Sequence, residues 1–389
     1  IGIVTLYDLL VDTYQGWWMG RPRRPSFRRD IYPVLERFAM TQWVNQGFLH
    51  QFGWGAPHNF LDPAYVAKLA AKVGRMDVYQ ELRRQIFNAL RDPAAPAANA
   101  LAWPWVYGDD PVDSDPPPNA FLSVTATQYS LLRQWMEGDF EEDWADEPSR
   151  WARLEDAPVA EQPGLLDRAA LDFCLGGPFH PGCEMTWPMR HITLYRAPFR
   201  IRPRSAQMPE RDYGDILDPK QIDWDGDSSP IFASGPGDIT RWMAVPWQPD
   251  TASCRAGYQP AYDPYLPSFW PARVPNHVLS AADYALVMDT AKPREERLAA
   301  FYRRSSWTRR LGHPQSPLGQ INAMIASFAD LGVVEARPGP VNDPDFPALM
   351  YVEVTPPEVR ARGVAAEEPP PYDQNLTLPV GFQFNRGRR

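Results

Sequence analysis

Cysteine is scarce in this chain of 389 residues, at 3, and histidine numbers only 6. Three thiols in such a length make no disulfide framework, so cysteine usage leaves the redox compartment open. No run of apolar residues is long enough to span a bilayer. The first residues, Ile1-Gly-Ile-Val-Thr-Leu6, carry neither an initiator methionine nor the basic region of a secretion signal, and the compartment stays unknown. Positive charge is also in deficit. The net charge is −9 and the pI about 5.3, which disfavours non-specific binding to nucleic acid or to an anionic membrane surface. Internal repeats are missing, as is regular alternation of strand and helix patterns. Solenoids, Rossmann folds and TIM barrels are therefore not indicated.

Proline and tryptophan are abundant instead, at 44 and 15 residues. So much proline favours long, stiff, ordered loops over uninterrupted helices or sheets. The 13% aromatic content argues against disorder, and 44% hydrophobic residues can build a sizeable core. The expected fold is α+β: an irregular, loop- and proline-rich, mainly helical structure with a few short strands.

Apolar spacing predicts helices over Asp30–Gly53 with Asp30 as N-cap, Asp62–Val73, Met76–Leu90, Ser123–Met136 and Glu161–Leu175. Further helices are expected from Gly237 to Pro246 and over Ser280–Met288, Arg294–Trp307 and Leu318–Leu331. Short strands are expected in Met185–Ile201 and at Met350–Val354. The acidic run Glu137–Glu147 reads as a solvated loop. This suggests a helical scaffold over 1–150, a catalytic domain over 151–345, and a C-terminal strand with an extended tail over 346–389.

Two turn-rich segments stand out. One is Cys174-Leu-Gly-Gly-Pro-Phe-His-Pro-Gly-Cys-Glu-Met-Thr-Trp187, the other Met243-Ala-Val-Pro-Trp-Gln-Pro-Asp250. Gly176 and Gly177 end the preceding helix, and Pro178, Pro181 and Pro246 deny another. Loops of this kind hold side chains outside regular ladders, which suits a site better than a core. Taken singly, a cysteine behind a helix is usually a small buried hydrophobe, and a tryptophan beside proline a packing residue. Cys174, His180, Cys183 and His191 also offer four N/S donors to a tetrahedral zinc, although their spacing matches no standard finger.

The two segments, in this order, resemble motifs of the LodA-like family, the lysine ε-oxidase and glycine oxidase group. In that family a C-x-G-G-x-F-x-P-G loop and an M-A-x-P-W-Q segment supply a cross-linked cysteine and tryptophan. Asp30-Ile-Tyr-Pro-Val-Leu35, Gln42-Trp-Val-Asn-Gln-Gly47 and Leu331-Gly-Val-Val-Glu335 extend the likeness over most of the chain. The resemblance implies a cysteine tryptophylquinone made from Cys174, which holds the motif's first position, and Trp247, with no metal; Cys183 departs from the family's more usual apolar residue and is either a spare thiol or the alternative to Cys174. It implies Schiff-base oxidative deamination of a small primary amine or amino acid, with oxygen as acceptor and ammonia and hydrogen peroxide released. It also implies a flavoprotein maturation partner. Family chains extend well before the segment resembling Val4-Thr-Leu-Tyr-Asp8, so an N-terminal portion is expected to be lacking and association with a partner chain or a second copy is expected.

The family places a carboxylate near its cofactor, four residues before the cysteine, where this chain has Ala170. Asp167 and Asp172 are the local candidates for the base. Asp167, seven residues before Cys174, would share its helix face, and Asp172 would not. His180 and His191 are alternative bases. Arg190 and Arg241 flank the two motifs and could hold a substrate carboxylate bidentately. Trp187, Trp242, Tyr258, Phe269 and Trp270 could wall the pocket. Two other functions compete: a quinone-dependent dehydrogenase or biosynthetic enzyme acting on a larger amine, and a non-catalytic binding or structural relative in which the cross-link never forms.

Overall fold

Thr5 sets the start of the first helix. Its hydroxyl accepts the Asp8 N–H at 3.2 Å, and the Asp8 carboxylate accepts the Thr5 N–H at 2.9 Å. The helix that follows is α1 (Leu6–Tyr14). The protein is seen as a computed structural model that describes residues 2–19, 24–44, 46–74, 76–95, 98–99, 101–104, 122–145, 151, 153–174, 189–209, 212, 232–238, 275, 277–307 and 332–354. Helices dominate these residues and the strands are few and short, so the fold class is α+β and mainly helical. The chain divides into two compact units, each discontinuous in sequence: a helical unit, Gly2–Val34 with Leu69–Gln259, and a sheet unit, Leu35–Lys68 with Pro260–Arg389. The expected division at 150 and 345 was linear.

In the helical unit, α1 packs with α7 (Gln162–Leu171) and with a short hairpin, β1 (Tyr195–Ala197) and β2 (Arg200–Ile201). Leu6, Leu9, Leu10, Tyr14, Met189, Leu194 and Tyr195 form one core. The Tyr14 ring meets Tyr195 edge-on at 5.0 Å and Phe199 at 5.3 Å. A second centre joins α5 (Gln80–Ala89) to α6 (Ala126–Glu137) around the fully buried Arg83. Arg83 donates to the carbonyls of Trp135 at 3.0 Å and Ala71 at 3.1 Å and pairs with Asp77. Thr125 and Gln128 cap α6 reciprocally, and Gly138, at φ 87°, stops it.

In the sheet unit the strand order is β4 (Ser305–Ser306), β3 (His277–Ser280), β6 (Leu349–Val354), β5 (Val333–Pro338). β3 runs parallel to β6, with Leu279 opposite Val352, and the outer pairs are antiparallel. α8 (Ala281–Met288) and α9 (Arg294–Tyr302) add Val287, Ala300 and Phe301 to a core centred on Trp43. Arg304 lies 3.7 Å from the Trp43 ring and donates to the Gln42 carbonyl at 3.3 Å and to its Oε1 at 3.2 Å. The helix expected over Asp30–Gly53 is broken: a π-type turn, Phe27–Ile31, is followed by α2 (Tyr32–Met40), a 3-10 turn, Thr41–Trp43, and α3 (Gln46–Phe52). Ser26, not Asp30, caps its start, because the Ser26 hydroxyl accepts the Arg29 N–H while Asp30 turns back to the Ser26 N–H at 2.9 Å. α4 (Pro63–Leu69) is shorter than expected, and the helix expected to run to Trp307 ends at Tyr302. The helices expected over Gly237–Pro246 and Leu318–Leu331 fall almost wholly outside the described residues, and the tail over 355–389 lies outside them.

Candidate active site

α7 carries the described part of the site. Pro163 occupies its first turn, and it ends at Leu171, with Asp172 as C-cap. One further turn brings Cys174 round, its N–H donating to the Leu171 carbonyl at 3.2 Å. The expected helix therefore stops short of Cys174, and straight helical periodicity does not carry to the thiol. α1 fixes this corner from the other side, since the Leu6 N–H donates to the Cys174 carbonyl at 2.8 Å. The thiol is exposed and in no disulfide, and its Sγ lies 3.3 Å from the Ala170 carbonyl oxygen. A thiol so placed can be joined to an indole ring without disrupting a packed interior. The cysteine half of the implied cofactor therefore fits.

The two candidate carboxylates have different partners. Asp167 is clasped by Arg200, whose Nη1 lies 3.1 and 3.2 Å from its two oxygens. Asp172 accepts one hydrogen bond, from Arg168 Nε to Oδ2 at 2.9 Å, and its Oδ1 is buried with no hydrogen-bond partner. The Arg168 guanidinium lies 4.2 Å from the centre of the Tyr7 ring. Burial opposes the charge on Arg168, but Asp172, Tyr7 and Asp8 overcome it, and its pKa is raised. Tyr7 in turn stacks on Phe199 at 5.3 Å.

Arg190 is an exposed residue, yet the protein around its guanidinium depresses its pKa, with Asp12 pulling the other way. His191 is partly buried. Burial, then the charge of Arg190, lowers its pKa and favours the neutral ring. His180, Cys183, Trp187, Arg241, Trp242, Trp247, Tyr258, Phe269 and Trp270 lie outside the described residues. Among the described residues, no three His, Cys, Asp or Glu side chains cluster as a metal site would require. No helix there is long and apolar enough to cross a membrane.

Sequence reading missed Arg168, Arg200 and Tyr7. Arg168 could have been found, since it precedes Asp172 by one helical turn. Nothing local marks Arg200 as the partner of Asp167.

The profile of the L-lysine ε-oxidase C-terminal domain matches residues 104–270, a span that includes both motifs. This part of the chain resembles that LodA-type domain. L-lysine 6-oxidase of Marinomonas mediterranea is 27% identical over 268 residues, which is 64% of this chain and 33% of that protein. The chain thus spans about a third of the curated relative's length. Among solved structures, the Schiff base intermediate of L-Lys ε-oxidase from the same organism with L-Lys superposes at a TM-score of 0.51. Sequence identity there is 19%, with coverage of 91% of this chain and 58% of that one. A second structure of the ε-lysine oxidase from this organism gives a TM-score of 0.51 at 18% identity, over 91% of this chain and 57% of that one. These likenesses show a shared fold.

Proposed function

We propose that this LodA-like protein is an amine or amino-acid oxidase working through a cysteine tryptophylquinone built from Cys174 and Trp247. One observation carries the reading: the matched L-lysine ε-oxidase domain holds both motifs, and the cysteine within it presents a free, exposed thiol. The relatives are named as oxidases of L-lysine, and one was captured as a Schiff base intermediate with that amino acid. The substrate class proposed here is accordingly a primary amine borne by an amino acid. The quinone supplies an electrophilic carbonyl and accepts the electrons of the oxidised amine.

The chain's own residues do the rest. α7 and the Leu6 N–H hold Cys174 at a fixed corner. Arg190, and Arg241 beside the tryptophan motif, offer forks of donors to a substrate carboxylate. His180 carries protons within the cysteine loop. Oxygen is the acceptor, and ammonia and hydrogen peroxide are the products. A flavoprotein partner oxygenates Trp247, and the chain assembles with a partner chain or a second copy of itself. The catalytic portion spans 151–345, supported by 1–150 and followed by the strand and tail of 346–389.

Peptide mass analysis tests the reading directly. The Cys174 and Trp247 peptides should be joined and oxygenated, and Cys174→Ser should lose visible colour and activity together. A coloured, active Cys174→Ser protein would sink the assignment. Peroxide formed in proportion to amine consumed separates the oxidase from a dehydrogenase.

A further inference from the structure

β5 (Val333–Pro338) is the outer strand of its sheet, and among the described residues no strand pairs with its free side. The phase of its ladder says which groups that side offers. Just beyond the strand, the Gly339 N–H donates to the Ala348 carbonyl at 2.9 Å, continuing the pairing of Pro338 with Leu349. Main-chain groups alternate sides along an antiparallel strand, so Val333, Glu335 and Arg337 bond inward to β6, while Val334, Ala336 and Pro338 turn outward. The Tyr284 hydroxyl, on α8, agrees with this phase, because it donates to the Pro338 carbonyl at 2.9 Å. Val334 and Ala336 therefore each hold an N–H and a C=O towards the open edge. Pro338 adds a carbonyl with one lone pair to spare and no N–H. Glu335 and Arg337 lie on one face of the strand, 2.8 Å apart.

We propose that this edge is where a second copy of the chain docks, β5 against β5, antiparallel about a two-fold axis at Ala336. Charge chooses the occupant. A two-fold at Ala336 sets Glu335 of each copy opposite the partner's Arg337, so the strand is complementary to itself. Ala336 then exchanges both backbone bonds with its twin, and each Val334 N–H meets the partner's Pro338 carbonyl. A two-fold at Glu335 makes as many backbone bonds but sets Glu335 against Glu335. A two-fold at Val334 would need Gly332, whose φ of 70° has left the extended region. Charges on an edge strand ordinarily repel other strands. Here the two signs alternate, so the repulsion falls on the other registers and spares this one. A single strand pair is a small contact, and the dimer belongs to the weak, reversible class. The inference gives a surface to the self-association proposed above and does not depend on the quinone.

Sedimentation of the full chain, followed over a concentration series, tests this with three variants. The wild type should show a reversible monomer–dimer equilibrium. Glu335→Arg and Arg337→Glu each set like charges opposite one another and should weaken the dimer roughly tenfold or more. Mixed in equal amounts, these two variants should associate near the wild-type affinity. Opposite charges then face each other across the two-fold, although the pair within each chain stays broken. Recovery on mixing therefore reports the contact between copies and not the fold of either. Ala336→Cys, under mild oxidation, should form a disulfide with its twin, since Cα atoms in such a pair lie about 5.5 Å apart, within disulfide reach. Peptide mass analysis identifies the 336–336 link.

The proposal is overturned by a chain that stays monomeric, by charge reversals that leave the dimer intact, by a mixture that does not recover, or by absence of the 336–336 link. A dimer without that link would leave self-association standing and move it to another face. If a charge variant fails to fold, the link alone decides.

Discussion

His277 lies in β3 with only 7% of its surface exposed and its Nδ1 unpaired. Burial, reinforced by the charges of Arg304 and His50, pushes its pKa down to about 3, against a partly opposing contact with the Gln42 backbone. Its folded pKa is thus below the unfolded value of 6.5. As pH falls below 6.5, the unfolded chain takes up a proton that the folded chain refuses, so stability is lost on acidification down to about pH 3. Between pH 7 and 5 the wild type should lose roughly 2 kcal/mol more than His277→Gln, measured by denaturant unfolding at both pH values. An equal loss in the two proteins would show that His277 already binds its proton in the fold. Arg83 makes a complementary case at the same scale. Its guanidinium serves two backbone carbonyls and Asp77, all drawn together by the fold. Arg83→Met should destabilise by about 3–5 kcal/mol, the usual consequence of stranding a buried partner.

At the level of elements, α6 shows how much a short sequence window can specify. Thr125 and Gln128 form a reciprocal cap, and Gly138 adopts the left-handed conformation that closes the helix. Thr125→Ala should lower stability by about 1 kcal/mol. Gly138→Ala should cost about 1–2 kcal/mol, because a Cβ is strained at φ 87° whatever the surrounding space. Thermal melts of the single and double variants should show near-additive losses, since the two sites lie at opposite ends of the helix. The strands were far less legible. β5 has mostly exposed or half-exposed residues without strict alternation, and β3 was not foreseen as a strand. Their pairing with β6 creates them more than their own propensity does.

At the scale of the whole chain, the sheet unit is assembled from distant segments. Trp43 is fully buried and packs against Phe301 and Tyr351, and Arg304 reaches Gln42 across 262 positions. A chain ending at Gln259 would strip residues 35–68 of these partners. Limited proteolysis should then cut within 35–68 in the truncated chain and spare that region in the full-length protein. Protection of 35–68 in both would mean that these helices hold themselves together.

The sequence by itself determined the α+β class, the helix expected over Ser123–Met136 and found as α6 (Ala126–Glu137), and the pair of turn-rich motifs, whereas the caps at Thr5, Thr125 and Gly138, though local, were not read. Each rests on contacts within about four residues, or on residue types that fix the backbone wherever they stand. It also nominated Asp167 and Asp172, and helix periodicity put only Asp167 on the face of Cys174. Only the tertiary structure set Arg200 against both oxygens of Asp167, 33 positions away, seated Arg168 on Tyr7, and buried one oxygen of Asp172 without a partner. The bond from the Leu6 N–H to the Cys174 carbonyl, just beyond the end of α7, likewise joins segments far apart in sequence. Such pairings depend on which chain segments close upon one another, and that is settled by the packing of the whole core, which local periodicity does not encode.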